Sequence, residues 1–112
     1  MVLNVANCVP QASRHGNPKQ VLLGSGALPG VTQVAVGTFP DCMETELHSH
    51  ATMYEVYFVL EGRATYRIGD EEFDVGPGDF FFVPPGVAHN QKVTSAPHQI
   101  FYWGIATDAA AL

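Results

Sequence analysis

Residues 46–62 read Glu-Leu-His-Ser-His-Ala-Thr-Met-Tyr-Glu-Val-Tyr-Phe-Val-Leu-Glu-Gly, and they hold the side chains best suited to chemistry in this chain. His48 and His50 sit one residue apart. On an extended strand side chains alternate, so both imidazoles face the same side. Two imidazoles aimed at one point, with the Glu55 carboxylate close by, make a nitrogen and oxygen set that suits a metal. The competing reading, surface histidines beside an exposed carboxylate, leaves Glu55 at the head of the apolar run 56–60 with no task there.

That site needs elements to position it. His50 and Glu55 are five positions apart, and a straight strand would put them on opposite faces. A bend or bulge within 51–54 is therefore required. Glu55 then begins a strand to residue 60, followed by a turn at Glu61-Gly62. In 63–68, Ala64, Tyr66 and Ile68 alternate with Arg63, Thr65 and Arg67, the mark of a half-buried antiparallel strand. Gly69-Asp70 reads as a hairpin turn, 71–75 as a strand with Phe73 and Val75 inward, and 76–79 as a tight turn. Further strands are expected at 21–23, 31–39, 80–83, 89–93 and 98–105, with a loop at 94–97. Short strands with frequent Gly/Pro turns predict an all-β sandwich or barrel. The barrel core is placed at about 21–106, with an N-terminal arm at 1–20 that includes a possible edge strand. A tail comes last at 107–112, where Ala109-Ala110-Ala111 could make a helical turn or fray.

At 112 residues the chain forms one domain, and 46% hydrophobic residues suffice for a core. Eleven acidic residues against five Lys/Arg give a net charge of −6, which argues against nucleic acid or an anionic membrane as partner. No apolar run reaches the ~20 residues of a membrane span, and residues 1–10 do not read as a secretory signal. Cys8 and Cys42 are too few for a disulfide framework and are expected as reduced thiols, which places the protein in a cytoplasm. His15, in Arg14-His15-Gly16-Asn17, reads as a solvated loop residue.

His48-Ser49-His50, four residues, Glu55, six residues and Gly62 is similar to the first motif of the cupin superfamily. Gly78-Asp79, then Pro84-Pro85-Gly86, two residues and His89 is similar to the second. The resemblance covers about residues 37–105 and implies a small jelly-roll β-barrel. It also implies that His48, His50, Glu55 and His89 jointly hold one divalent metal. Two positions depart from the usual motifs: Cys42 stands where a glycine is usual, and Val93 where an asparagine is frequent. Small single-domain cupins usually pair, so the resemblance suggests a homodimer covering sheet edges at the N-terminal segment.

Three neutral imidazoles and one carboxylate leave two adjacent positions of an octahedral ion for water, O2 or a bidentate substrate. Fe, Mn, Ni, Cu and Zn all suit the set. Tyr57 shares strand parity with Glu55 and should face the interior, either toward a substrate or satisfied within the core. Met53, Tyr54 and Phe82 are expected to line the pocket, with Gln33 and His98 as its further polar candidates. Tyr66, Phe80 and Trp103 read as core or pocket wall, and Arg63 and Arg67 as surface or dimer contacts. No inward cluster of Arg/Lys is apparent, which disfavours a phosphorylated sugar.

Three functions fit these residues. The favoured one is a metal-dependent enzyme on a small organic molecule, an O2-dependent dioxygenase with Glu55 as candidate base. The second is a non-redox isomerase, lyase or decarboxylase with the metal as Lewis acid. The third is a non-catalytic small-ligand-binding cupin.

Overall fold

The computed structural model describes residues 1–108. Residues 109–112, with the alanine run of the expected tail, lie outside the described residues. A 3₁₀ turn at Val5–Asn7 is followed by seven strands: β1 (Gln11–Ala12), β2 (Pro18–Leu23), β3 (Val34–Phe39), β4 (Met53–Ile68), β5 (Glu71–Val75), β6 (Phe80–Val83) and β7 (His89–Ala106). All pair antiparallel in the order β1-β2-β3-β7-β4-β5, with β6 also on β4. The fold is an all-β jelly-roll barrel. Among the described residues no helix is long and apolar enough to cross a membrane.

β4 and β7 form the spine. Residues 53–59 of β4 pair with 100–106 of β7 and with β6, whereas residues 63–68 pair with 89–95 and with β5. One long ladder therefore contributes to two walls of the barrel. The expected turn at Glu61-Gly62 and loop at 94–97 are instead bulged strand. They face each other, with Glu61 opposite Gln99 and Arg63 opposite Ser95, so the two strands bend together and pairing resumes on both sides. Gly62 takes a positive φ of 72°, and a Cβ there would collide with the Ser95 and Pro97 carbonyls. Only glycine fits that bend.

Alternation along β4 fills the interior. Tyr57, Val59, Ala64 and Tyr66 are buried and join Val75, Val83, Val93, Ile100 and Phe39 in one core cluster. Burying each such valine contributes about 1.5–3 kcal/mol relative to exposure. Phe73 and Val75 face inward as expected, whereas Arg63 and Arg67 are exposed. β2 begins at Pro18, inside the expected arm, and β1 is an edge strand pairing with β2 alone. The loop between them is fastened from inside: Asn17 is 3% exposed and its Nδ2 donates to the Thr38 carbonyl at 3.3 Å.

Cys42, the departure from the first motif, has a φ of 60°, alone in that region among the described non-glycine residues. It sits in a turn closed by Met43 N–H donating to the Pro40 carbonyl at 3.3 Å. The backbone keeps the conformation that a glycine would adopt freely.

Candidate metal centre

His48 and His89 meet through their backbones. His48 N–H donates to the His89 carbonyl at 3.0 Å and His89 N–H to the His48 carbonyl at 2.8 Å, an isolated antiparallel bridge. Residues paired in this way share a face, and the ring centroids lie 4.2 Å apart. The required bend is present at Ala51 and Thr52, after which β4 turns Glu55 back to the histidines. His48, His50, Glu55 and His89 each present one ligand atom, and these atoms all lie within 4.8 Å of one another.

Hydrogen bonds settle how the donors are presented. A carbonyl oxygen only accepts, so His48 Nδ1 donates to Glu46 O at 2.8 Å and His89 Nδ1 donates to Val87 O at 3.0 Å. In the neutral rings the Nε2 lone pairs then face the cluster, as metal ligation needs. Burial lowers the His48 imidazole, against the Glu46 bond that raises it, and the rings of His89, His15 and His50 lower it further. Burial alone would raise the Glu55 carboxyl. Its contacts with the His50 and His89 rings and the hydrogen bond from the Tyr57 hydroxyl outweigh it and hold Glu55 well below the usual carboxylate range. Glu55 Oε2 accepts from the Tyr57 hydroxyl at 2.6 Å and lies 3.1 Å from His89 Nε2 and 3.2 Å from His50 Nε2. A lone pair of His89 therefore meets a carboxylate oxygen, and a cation between them satisfies both. The donor set fits one divalent transition metal, which these four residues could hold.

The cluster opens into a cavity of about 370 Å³. Met53, Tyr57 and Gln33 line it, together with Phe39, Ile100 and Tyr102. Burial, then the Glu55 charge, push the Tyr102 hydroxyl up to about 12. Three pocket candidates, Phe82, Tyr54 and His98, are placed elsewhere. Phe82 is 51% exposed, because it pairs with Val56 on the outer face beside Tyr54 and Phe58, which are also exposed. Its neighbour Phe81 is the one that turns inward and stacks on Tyr57 at 5.0 Å. Tyr54 and Phe80 likewise face outward, correcting their expected places in the wall or core. His98 is fully buried beyond the cavity wall: its Nε2 accepts from the Tyr66 hydroxyl at 2.9 Å and its Nδ1 donates to the Glu61 carbonyl at 3.3 Å.

The N-terminal arm supplies what the sequence reading missed. His15 is not a freely solvated loop residue; its ring packs 4.7 Å from that of His48. Burial and the Arg14 charge lower its imidazole. Arg14 and Lys19 also line the cavity, although no inward cluster of Arg/Lys was expected. Lys19 faces the interior because it pairs with Gly37, on the inner side of β3. Its one local signal is strand parity with Val21.

Residues 38–102 match the cupin domain family, and this chain belongs to it. An uncharacterised protein of Methanocaldococcus jannaschii is 32% identical over 93 residues, 81% of this chain and 74% of that protein. Among solved structures, a predicted oxalate decarboxylase from Thermotoga maritima superposes with a TM-score of 0.87 at 19% identity, covering 95% of this chain and 99% of that one. KdgF from Halomonas sp. superposes with a TM-score of 0.80 at 15% identity, covering 96% and 94%. At these identities the two structures speak for the fold.

Proposed function

We propose that the protein is a metal-dependent enzyme acting on a small organic molecule, with His48, His50, Glu55 and His89 as ligands of one divalent transition metal. The observation that carries this reading is the convergence of four ligand atoms within 4.8 Å beside a cavity. Such an ion supplies Lewis-acid polarisation or, where redox-active, O2 chemistry. The chain's own residues prepare the site. Backbone carbonyls orient His48 and His89, Tyr57 holds the Glu55 carboxylate in its ionised form, and the aromatic wall limits water. Because the Tyr57 hydroxyl is committed to Glu55 at 2.6 Å, its role is to position that carboxylate.

Within this class the apolar wall of Met53, Phe39, Ile100 and Tyr102 supports an O2-dependent dioxygenase with a partly apolar substrate. A second reading, a non-redox decarboxylase, lyase or isomerase, is favoured by Arg14 and Lys19 at the same cavity, which suit an anionic substrate. Metal analysis of tag-free protein, followed by O2-uptake assays with diketone and catechol-like substrates, separates the two. Iron or copper with uptake supports the dioxygenase; zinc or manganese without uptake sinks it. Turnover in neither mode would leave a ligand-binding cupin. A second copy of this chain is the proposed partner, supported by the exposed outer-face aromatics Phe58, Phe80 and Phe82, and sedimentation at several concentrations tests it.

A further inference from the structure

The cavity has a second chemical feature besides its metal donors. Two of the chain's five Lys/Arg, Arg14 and Lys19, line it although the net charge is −6. Glu55 is the one carboxylate in the lining, and its Oε2 already lies against His50, His89 and Tyr57. Among the described residues Lys19 makes no ion pair, and its Nζ donates to Gln33 Oε1 at 2.8 Å. Gln91 adds an independent observation. It comes two residues after His89 on β7 and pairs with Tyr66, so it shares their inner face, and it is 5% exposed. Its side-chain nitrogen is buried without a hydrogen-bond partner. A buried N–H left unpaired is destabilising, and a lining residue that keeps one is shaped for an acceptor arriving with a ligand.

We propose that Lys19 and the Gln91 amide form a carboxylate-recognition subsite, so that the cavity takes a small organic acid whose remaining oxygen donors lie at the His/Glu cluster. The inference rests on the metal-centre reading for that second anchor only. One ammonium and one amide N–H match the two oxygens of a carboxylate, whereas a phosphate calls for a denser set of cationic donors. Arg14 is exposed and contributes long-range attraction at the rim, where salt screens it.

Calorimetric titration of the zinc-loaded protein with malonate, neutral malonamide and inorganic phosphate tests the subsite. Malonate is expected to bind about tenfold or more tightly than malonamide, as a charge-assisted bond implies. Lys19→Met should remove about that factor for malonate, leave malonamide unchanged and leave zinc content intact. Lys19→Arg should keep part of the affinity. Gln91→Glu, which sets a like charge at the subsite, should weaken malonate further, and Gln91→Leu provides a charge-neutral version if Gln91→Glu unfolds. Equal binding of malonate and malonamide, or an unchanged Lys19→Met, overturns the proposal. Phosphate binding tighter than malonate overturns the carboxylate assignment. Failure of the wild type to hold zinc counts against the metal centre instead, and malonate binding to the zinc-free wild type and Lys19→Met then decides the subsite separately.

Discussion

His48 and His89 are joined by two backbone hydrogen bonds of 3.0 and 2.8 Å, and each ring is oriented by a carbonyl two residues before it. On the arm side of the same cavity, Lys19 is held by one side-chain bond to Gln33, and Arg14 is exposed. The donors that would hold a metal must sit within a few tenths of an ångström of their places. The β4–β7 ladder carries Glu55 and His89, and an isolated bridge ties His48 to His89. A cation that attracts an anion tolerates far more freedom, because Coulomb attraction varies slowly with distance. On the proposed reading the two walls divide the work, the bridged one for coordination and the arm side, with Gln91, for choice of ligand.

The sharpest way to break this division is to remove one donor. His89→Ala should cost about 100-fold or more in metal affinity, since even partners behind a ligand are worth about 10–100-fold. Metal content after desalting reads the loss. The cations of the arm should behave oppositely, with Lys19→Met holding its metal. Equal metal retention in His89→Ala would show that the cluster is not the site.

Within the bridged wall, Tyr57→Phe deletes the hydroxyl that donates to Glu55 at 2.6 Å and keeps the ring stacked on Phe81. Metal affinity should fall about tenfold, the scale of losing a partner behind a ligand. A competition titration against a chromophoric chelator measures it. No change would mean that the two remaining contacts of Glu55 suffice to place it.

The two walls were also unequally legible. His48, His50 and Glu55 announce themselves because a His-x-His pair in extended chain shares a face, and the parity argument called for a bend within 51–54, which the structure places at Ala51 and Thr52. The run Phe80-Phe81-Phe82 offers no polar residue to show which parity is inward. Only the register against β4 reveals that Phe81 faces in and Phe82 out. The β4 and β7 bulges were misread as a turn and a loop for a related reason: each segment looks like a break alone and continues as strand only because the other bends with it. Lys19 and His15 carried least signal. Their places depend on β2 pairing with β3 and on Asn17 reaching Thr38, contacts between distant parts of the chain.

His98 gives a smaller effect that neither wall should feel. Burial lowers its imidazole, against the Glu61 carbonyl that raises it, so the folded protein keeps it neutral. Below the ordinary value of 6.5 the unfolded chain binds a proton that the folded one excludes. The His98 contribution to stability is therefore complete above 6.5, is lost as pH falls, and levels off below the lowered folded pKa. Denaturant midpoints between pH 7 and 5, for wild type and His98→Gln at fixed metal concentration, isolate it. The variant should show the flatter profile. Parallel profiles would mean that His98 accepts its proton without cost to the fold.

Cys42→Gly asks whether the segment leading into the bridged wall is held by its local conformation or by the bridge between His48 and His89. Cys42 is exposed, so the substitution removes little packing. Its φ of 60° costs a non-glycine residue about 1–2 kcal/mol. Glycine relieves that strain but returns about 0.5–1 kcal/mol through the greater freedom of the unfolded chain. The balance is a stabilisation of about 0–1.5 kcal/mol, read as a higher denaturant midpoint with unchanged slope. Metal affinity should not move, because His48 is fixed by its bridge to His89 rather than by the turn before it. If the variant instead lost stability, the Cys42 side chain would be making a contact worth more than its backbone strain. If it lost metal, the turn would belong to the machinery of the site, and the bridged wall would begin at Pro40.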